Sequence, residues 1–555
     1  MRLMNKRLGL FMGAAVLFLV FLFGRAFYVQ VVAADSLSQQ AARHTTRTIE
    51  LNARRGTIYD RNGQPLAMSQ AMSTVYATPS LVSDPLSAAG QLAPILDMTQ
   101  EELLEKLDSD SGFRYLARRI DPAVGARVEA LGLDGVSVAS EDKRIYPKGA
   151  LAPQLLGFVG GDDYSGIAGL EMEYDEILAG EPGEMTILSD LSSGARVATI
   201  ESKEAVPGDA ISLTIDEQIQ FKTEQVLTEV VTKFKAKKAC AVVLDPKTGE
   251  VLAMANTPVF DANDFASSSL SETDRRNAVV TDQYEPGSTF KMVVAAAALE
   301  NGLVTPSTKF ELGPEIQVYD LVVHEAHDDV PAVRHLSVTQ ILAQSSNVGA
   351  VTLGLEVGKE RLAAMIKEFN FTTELGIDFP GETPGEMPAL DKWYGTTIAN
   401  VPIGQGIAVS PLQLATAYAA VANDGILVQP HLLLGDTDFW SRRVINPVVA
   451  VQLRDMLTVT VYDGTGKRAR VKGYEVAGKT GTAQKVKQDG SGYAENRYVS
   501  SFVGMVPAED PGLVILVVVD EPTTKHSGAY VAAPAFAEIA EFSLKRLGIP
   551  PASQE

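Results

Sequence analysis

One cysteine, Cys240, is all that the 555 residues hold. A lone cysteine excludes an intrachain disulfide, and its place in an apolar run marks it as a buried, unreactive thiol. Basic residues are also short: 48 Lys and Arg stand against 69 Asp and Glu, a formal net charge of −21. Phosphate recognition needs a basic patch, so nucleic acid is excluded as the main partner. There is no internal repeat and no long low-complexity tract, which excludes repeat architectures. Metal-ligand chemistry is confined to one grouping, His324, Glu325, His327, Asp328 and Asp329. Its spacing matches no closed zinc site, so it reads as an exposed polar loop and no metal is expected. What remains is a globular composition, 46% hydrophobic and 21% charged, over a length that suits two or three domains.

The chain opens with Arg2, Lys6 and Arg7, followed by the uncharged run Leu8 to Gly24. As a helix that run covers about 25 Å, slightly short of a bilayer core. Arg25 can snorkel, and Ala26 to Ala34 extends the apolar stretch. The basic residues before the span place the N-terminus in the cytoplasm and the rest outside. A cleaved signal peptide is the rival reading, with Val32-Ala33-Ala34 as its cleavage site. That site lies well beyond the apolar run, with Arg25 between, so an uncleaved anchor over residues 1–34 is expected.

Residues 35–210 read as a mixed spacer or binding module with no catalytic constellation. Arg47 to Leu51 alternates like a strand. Asn62-Gly63 marks a tight turn after the charged stretch Arg54 to Arg61, for which a structural role is expected over a docking one. Thr99 and Glu102 form a capping box, and Asp121-Pro122 opens a second helix.

From about residue 211 the pattern becomes one large domain. A helix is expected over Glu217 to Phe234, then a hairpin of strands Ala239 to Leu244 and Glu250 to Ala255. Glu285-Pro286-Gly287-Ser288-Thr289-Phe290-Lys291 leads into a buried helix that stops at Asn301-Gly302. Ser288 therefore sits at the helix N-terminus, with Lys291 one turn on. A serine hydroxyl needs a base, and a lysine serves only when neutral. That asks for a downward shift of roughly three units from 10.4, which burial and a second cation would supply. Gln344-Ser345-Ser346-Asn347 interrupts a helical stretch. Ser345 and Asn347 converge on one site only if the backbone turns between them. A helix follows Ser410-Pro411. A strand over Tyr474 to Val486 carries Gly478-Lys479-Thr480-Gly481-Thr482. Alternation puts Thr480 and Thr482 on one face, where two hydroxyls could hold a carboxylate, and Gly481 allows close packing. Lys479 would have to reach round to Ser345. Strands Ser500 to Val506 and Leu513 to Val519 form another hairpin, and Ala535 to Arg546 closes the chain as a helix. The class is α+β, an antiparallel sheet flanked by helices.

Ser-x-x-Lys, Ser-x-Asn and Lys-Thr-Gly, in that order, are the signature of penicillin-binding proteins and serine β-lactamases. Over nearly its whole length the chain resembles the class B penicillin-binding proteins. Arg55 to Arg61, Tyr146-Pro147, Gly169-Leu170-Glu171, Gly404-Gln405-Gly406 and Ala532-Ala533-Pro534 add to the likeness. The wording of Tyr284 to Gly287 and Gly478 to Lys485 is closer to the septal branch. The resemblance implies a transpeptidase domain over 211–555 on an elongated pedestal, dimerisation-type domain over 35–210. It implies that Ser288 attacks the penultimate D-Ala carbonyl of a stem peptide, with Lys291 as base. Ser345, backed by Lys479, passes a proton to the departing D-Ala. Asn347 holds the peptide amide and positions Lys291. Thr480 and Thr482, around Gly481, hold the terminal carboxylate or that of a β-lactam. The backbone N–H groups of Ser288 and Thr482 form the oxyanion hole. No cofactor is implied. The implied partners are the membrane, a polytopic SEDS-type glycan polymerase and other division proteins, with the catalytic domain outside the bacterial cytoplasmic membrane. Two positions depart from the pattern: Ser410 stands where threonine is frequent, and Ser527-Gly528 where two glycines are commoner.

The same trio serves D,D-carboxypeptidases and β-lactamases, in which water attacks the acyl-enzyme. The anchor and the long region before the catalytic domain favour a wall-synthesis transpeptidase. A β-lactam sensor would need a cytoplasmic output domain. A division scaffold with secondary catalysis is the non-enzyme alternative.

Overall fold

A computed structural model describes residues 2–32, 46–109, 111, 113–161, 164–189, 196–326, 330–487, 489 and 492–551. The chain divides into two compact units. The smaller takes Met1–Arg55, Ser69–Lys143 and Ala179–Gly208; the larger takes Gly56–Met68, Arg144–Leu178 and Asp209–Glu555.

In the smaller unit the first helix, Arg2–Phe27, continues through a π-type turn to Val32. Arg25 does not break it, so Lys6–Val31 forms one helical stretch of 26 residues that contains 18 consecutive residues with mean hydropathy 2.2. At 1.5 Å per residue that is about 39 Å, long enough to cross a bilayer core of about 30 Å. Ala33 and Ala34 of the alternative cleavage site lie outside the described residues. The strand expected at Arg47 to Leu51 is Thr46–Leu51, which pairs antiparallel with Gly183–Ser189, itself paired with Arg196–Lys203. Residues 73–77 of a second strand pair with Arg114–Ile120. The helices Pro85–Leu96, Gln100–Leu107 and Pro122–Glu129 bury Leu92, Leu103, Leu107 and Val128 in that unit's core. Thr99 and Glu102 close the expected capping box, and Asp121 caps the helix after it.

The larger unit is built on a five-stranded antiparallel sheet. Its spatial order is Val251–Thr257, Lys238–Leu244, Leu513–Asp520, Tyr493–Val506, Ala477–Val486. Strand periodicity sorts its side chains into two layers. Ala239, Ala241, Val243, Ile515, Val517 and Val519 join one core with Ile219, Leu227, Phe536 and Ile539 of the helices Glu217–Phe234 and Gly528–Arg546. Cys240, Val242, Leu244, Leu516 and Val518 join the other, with Val293, Ala296, Leu414 and Tyr418 of the helices Lys291–Glu300 and Pro411–Ala422. The sheet is therefore sandwiched between helices, as the α+β reading requires. Cys240 is buried and free, and burial raises its thiol pKa.

Several elements differ from expectation, among them the strand expected from Ser500, which begins at Tyr493, and the helix Lys359–Glu368, which was not expected. The last helix starts at Gly528, seven residues early, with Pro534 inside it. One missing N–H in a helix packed on the sheet is tolerated. A helix over Pro447–Tyr462, capped by the Asn446 side chain, stands where none was expected.

The charged stretch near residue 60 is structural within the larger unit. Asp60, 1% exposed, accepts hydrogen bonds from the backbone N–H groups of Asn62, Gln64 and Glu217. Arg61 pairs with Glu250 at 3.2 Å. The Tyr146-Pro147 and Gly169-Leu170-Glu171 blocks meet through a fully buried pair, Arg144 Nε to Glu171 Oε1 at 2.6 Å. The Tyr146 hydroxyl also donates to Glu171, at 3.2 Å.

Candidate active site

Ser288 lies in the 3₁₀ turn Gly287–Phe290, which runs straight into the helix Lys291–Glu300. Gly287 has φ +57°, a left-handed conformation that suits glycine. Its N–H donates to the Gly404 carbonyl at 3.1 Å. The two backbones are so close that a Cβ on Gly404 would lie 2.1 Å from the Gly287 oxygen. That contact explains the first glycine of Gly404-Gln405-Gly406. The second, Gly406, donates its N–H to Glu285 Oε1 at 2.8 Å. Thr289 Oγ1 bonds the Pro286 carbonyl at 2.7 Å, and the Tyr418 hydroxyl donates to the Thr289 carbonyl at 2.8 Å. The turn is thus held from both sides. Ser288 is half-buried, and its hydroxyl makes no hydrogen bond among the described residues.

The turn required between Ser345 and Asn347 is present. Ser345 ends the helix Val338–Gln344 with φ +60°, and Ser346 caps the next helix, Asn347–Val357. This reversal brings both motif side chains to one amine. Lys291 Nζ donates to the Ser345 carbonyl at 2.6 Å, to Asn347 Oδ1 at 2.7 Å and to Ser345 Oγ at 3.3 Å. On the other side, Lys479 Nζ donates to Ser345 Oγ at 2.9 Å and to the Thr480 carbonyl at 3.3 Å. One serine hydroxyl is therefore held between two lysine amines. Lys291 is 2% exposed and Lys479 is 0% exposed.

Burial sets the charge state. It pushes Lys291 down to about 7, while the Glu325 carboxylate pulls the other way. Lys479 lies well below its ordinary value, first through burial and then through the Lys291 cation. The shift expected for Lys291 is thus present, but its cause is burial; the second-cation effect falls on Lys479.

Ala477–Val486 is an edge strand of the sheet, so one row of its backbone groups is left for the site. Gly481 packs tightly: a Cβ there would meet Ser501 Oγ at 2.2 Å and the Pro286 carbonyl at 3.1 Å. The strand is thereby drawn against the nucleophile turn. Thr480 is buried and shares a hydrogen bond with Thr465 Oγ1 at 2.8 Å. Thr482 is exposed, and its Oγ1 accepts from the Gly528 N–H at 3.1 Å. Ser410 caps its helix through a capping box with Gln413, a task threonine shares.

Sequence reasoning passed over the group that shapes the Ser345 turn. Glu325 was expected in an exposed polar loop, yet its side chain is 5% exposed and paired with Arg334. It accepts from the Ser346 hydroxyl and from the Asn347 N–H, the latter at 2.9 Å. The Asn347 amide donates in turn to the His324 carbonyl at 3.1 Å. No spacing signals such a contact, because it joins a loop to a motif across the fold. His324 is exposed as expected, and His327, Asp328 and Asp329 lie outside the described residues. Among the described residues no group of three or more acidic, His or Cys side chains could hold a metal. Glu285 was also missed. Burial raises its pKa, and its Oε2 is buried without a partner.

This arrangement can run acyl transfer: a free hydroxyl at a helix start, a neutral-range amine and a hydroxyl poised between two amines. Comparison with known proteins agrees. The penicillin binding protein transpeptidase domain matches residues 239–541, and the penicillin-binding protein dimerisation domain matches residues 50–213. The probable peptidoglycan D,D-transpeptidase PbpC of Pseudomonas aeruginosa is 36% identical over 95% of this chain and 93% of its own length. Peptidoglycan D,D-transpeptidase FtsI of Escherichia coli is 33% identical over 98% of this chain and 92% of its own. Penicillin binding protein 3 of Mycobacterium tuberculosis, solved with aztreonam, superposes with TM-score 0.72 at 30% identity, over 91% of this chain and 98% of that one.

Proposed function

This chain belongs to the penicillin-binding protein transpeptidases, and we propose that it cross-links peptidoglycan stem peptides during septal wall synthesis and is acylated by β-lactams. The observation that carries the reading is the Ser345 hydroxyl held between the amines of Lys291 and Lys479. Neutral Lys291 takes the proton of Ser288 as its Oγ attacks the penultimate D-Ala carbonyl. The Ser288 and Thr482 N–H groups receive the oxyanion. The tetrahedral adduct then collapses and the C–N bond to the last D-Ala breaks. The departing amine is protonated through Ser345, which relays the proton from the lysine pair. An amine of a second stem peptide attacks the acyl-serine and restores the enzyme. Thr480 and Thr482 hold the terminal carboxylate, and Asn347 fixes both the substrate amide and Lys291. No step calls for a metal or cofactor.

Residues 1–34 serve as a single-pass anchor with the N-terminus inside, residues 35–210 as the pedestal, and residues 211–555 as the transpeptidase domain. The apolar helix and the basic residues Arg2, Lys6 and Arg7 support that orientation in the inner membrane. A SEDS-type glycan polymerase is the partner this reading implies.

Fluorescent penicillin labelling of the full-length protein, parent against Ser288→Ala, tests the assignment. Stable label on the parent and none on the variant is the expected result. Transient label with released, hydrolysed drug would make the chain a hydrolase. Label that survives the substitution would remove Ser288 as nucleophile.

A further inference from the structure

A second cavity in the larger unit has no part in this chemistry. Its volume is about 310 Å³, and none of the residues assigned to catalysis lines it. Phe158, Ile167, Phe379 and Pro380 form apolar walls. Phe158 is braced by stacking on Phe265 with ring centroids 4.0 Å apart. The volume suits a small molecule or a single side chain with its backbone end.

The buried carboxamides on the wall are spent. The Gln154 amide donates to the Pro258 carbonyl at 2.7 Å and to the Asp274 carbonyl at 3.3 Å. The Asn277 carboxamide bonds Asn256 and Met254. Arg276 pairs with Glu272 at 3.1 Å, which uses the nearby carboxylate. That leaves Arg275. Its guanidinium forms no ion pair and no hydrogen bond among the described residues, and its Nε is wholly buried without a partner. A guanidinium cannot shed its charge, and an unmet buried donor is destabilising. Among the described side chains that line the cavity, Arg275 is the cation left without a carboxylate.

We propose that this cavity binds a carboxylate carried on an aromatic or branched apolar body, with Arg275 as the anion contact and Phe158 and Phe379 as the apolar walls. The carboxylate supplies the planar acceptor that a guanidinium fork matches. Two sources share this chemistry, a free small acid and the last residue of a polypeptide chain.

Binding of 3-phenylpropionate and of 3-phenylpropionamide to the full-length protein in detergent is measured by calorimetry. The protein is treated with benzylpenicillin beforehand, and the extent of labelling is recorded on the same samples. The pocket result thus stands apart from the fate of Ser288. The acid is expected to bind at least about tenfold tighter than the amide. Arg275→Ala removes that preference. Ile167→Trp, at a half-exposed wall position, blocks both compounds while penicillin labelling stays at the parent level, which shows the fold intact. A tripeptide ending in phenylalanine as the free acid separates the sources. Binding at least as tight as phenylpropionate assigns the pocket to a chain terminus; its exclusion assigns it to a free acid. Equal affinity for acid and amide, an unchanged preference in Arg275→Ala, or no binding by the parent would overturn the proposal.

Discussion

Lys479 and Lys485 stand on one strand, six residues apart, and do opposite things with the same side chain. Lys485 pairs with both oxygens of Asp520, at 2.9 and 3.0 Å, and with Glu521 at 2.8 Å; Arg497 joins the same carboxylate. Its charge is matched, and the network ties the strand to its neighbours. Lys479 is fully buried, has no carboxylate and faces a second amine across Ser345. Its burial is not repaid by an ion pair, which is costly for a structural residue and useful for a reactive one. Charge matching, more than residue type or burial, separates the structural end of this strand from its chemical end.

That contrast can be broken in graded steps. Lys291→Met removes the base and keeps the volume, so β-lactam acylation should fall by about 10²–10⁴-fold. No direct ion pair is lost, but the hydrogen bonds to the Ser345 carbonyl and Asn347 Oδ1 are, so the thermal unfolding midpoint should fall by only a few degrees. Collapse of the fold instead would make Lys291 a structural residue. Lys479→Met takes one of two amines from Ser345. Acylation should fall by about 10²-fold, again with little change in unfolding. Glu325→Gln keeps the shape of the Ser346 and Asn347 contacts but weakens them, and should slow acylation about tenfold. It also deletes the charge that raises Lys291, so the midpoint of the pH–rate profile should move to lower pH. A move to higher pH would contradict this electrostatic role. The smallest effect belongs to Lys485→Met. Acylation should be unchanged, and stability should drop by about 1 kcal/mol, less at high salt. Its pH dependence has a definite sign. Glu521 is held down to about 2, so its stabilisation is present above its ordinary value of 4.5 and lost as pH falls towards 2. Removing Lys485 should shrink that acid loss.

Much of this was legible because local chemistry decided it. Asp216 caps the helix Glu217–Phe234 at its expected ends, and Asn301-Gly302 stops the helix after Ser288. Ser345 and Asn347 demanded a turn, and a left-handed Ser345 supplies it. The helix Pro447–Tyr462 escaped because Val448, Val449, Val451, Thr458, Val459 and Thr460 favour strands. Burial of Leu453, Met456 and Leu457 overrides that preference, although Asn446-Pro447 was a start signal in plain view. Glu325 could not be read at all. Its meaning depends on a loop folding back onto Ser346, and that contact has no local pattern. The membership of 144–178 in the larger unit is likewise long-range, carried by contacts such as the Ala152 N–H to Glu224 Oε1 at 2.8 Å and the Gln154 amide to the Pro258 carbonyl at 2.7 Å.

For this chemistry Lys291 must be neutral in the working range of pH. The direct measurement is the second-order rate of acylation of the full-length protein by a fluorescent penicillin, across pH 5 to 10. The rate should rise about tenfold per unit at acid pH, bend at a midpoint near 7 and level off above it, as expected for a buried amine that acts when deprotonated. A rate that keeps rising towards the ordinary lysine range near 10 would mean that Lys291 is charged at neutral pH and that another group takes the serine proton.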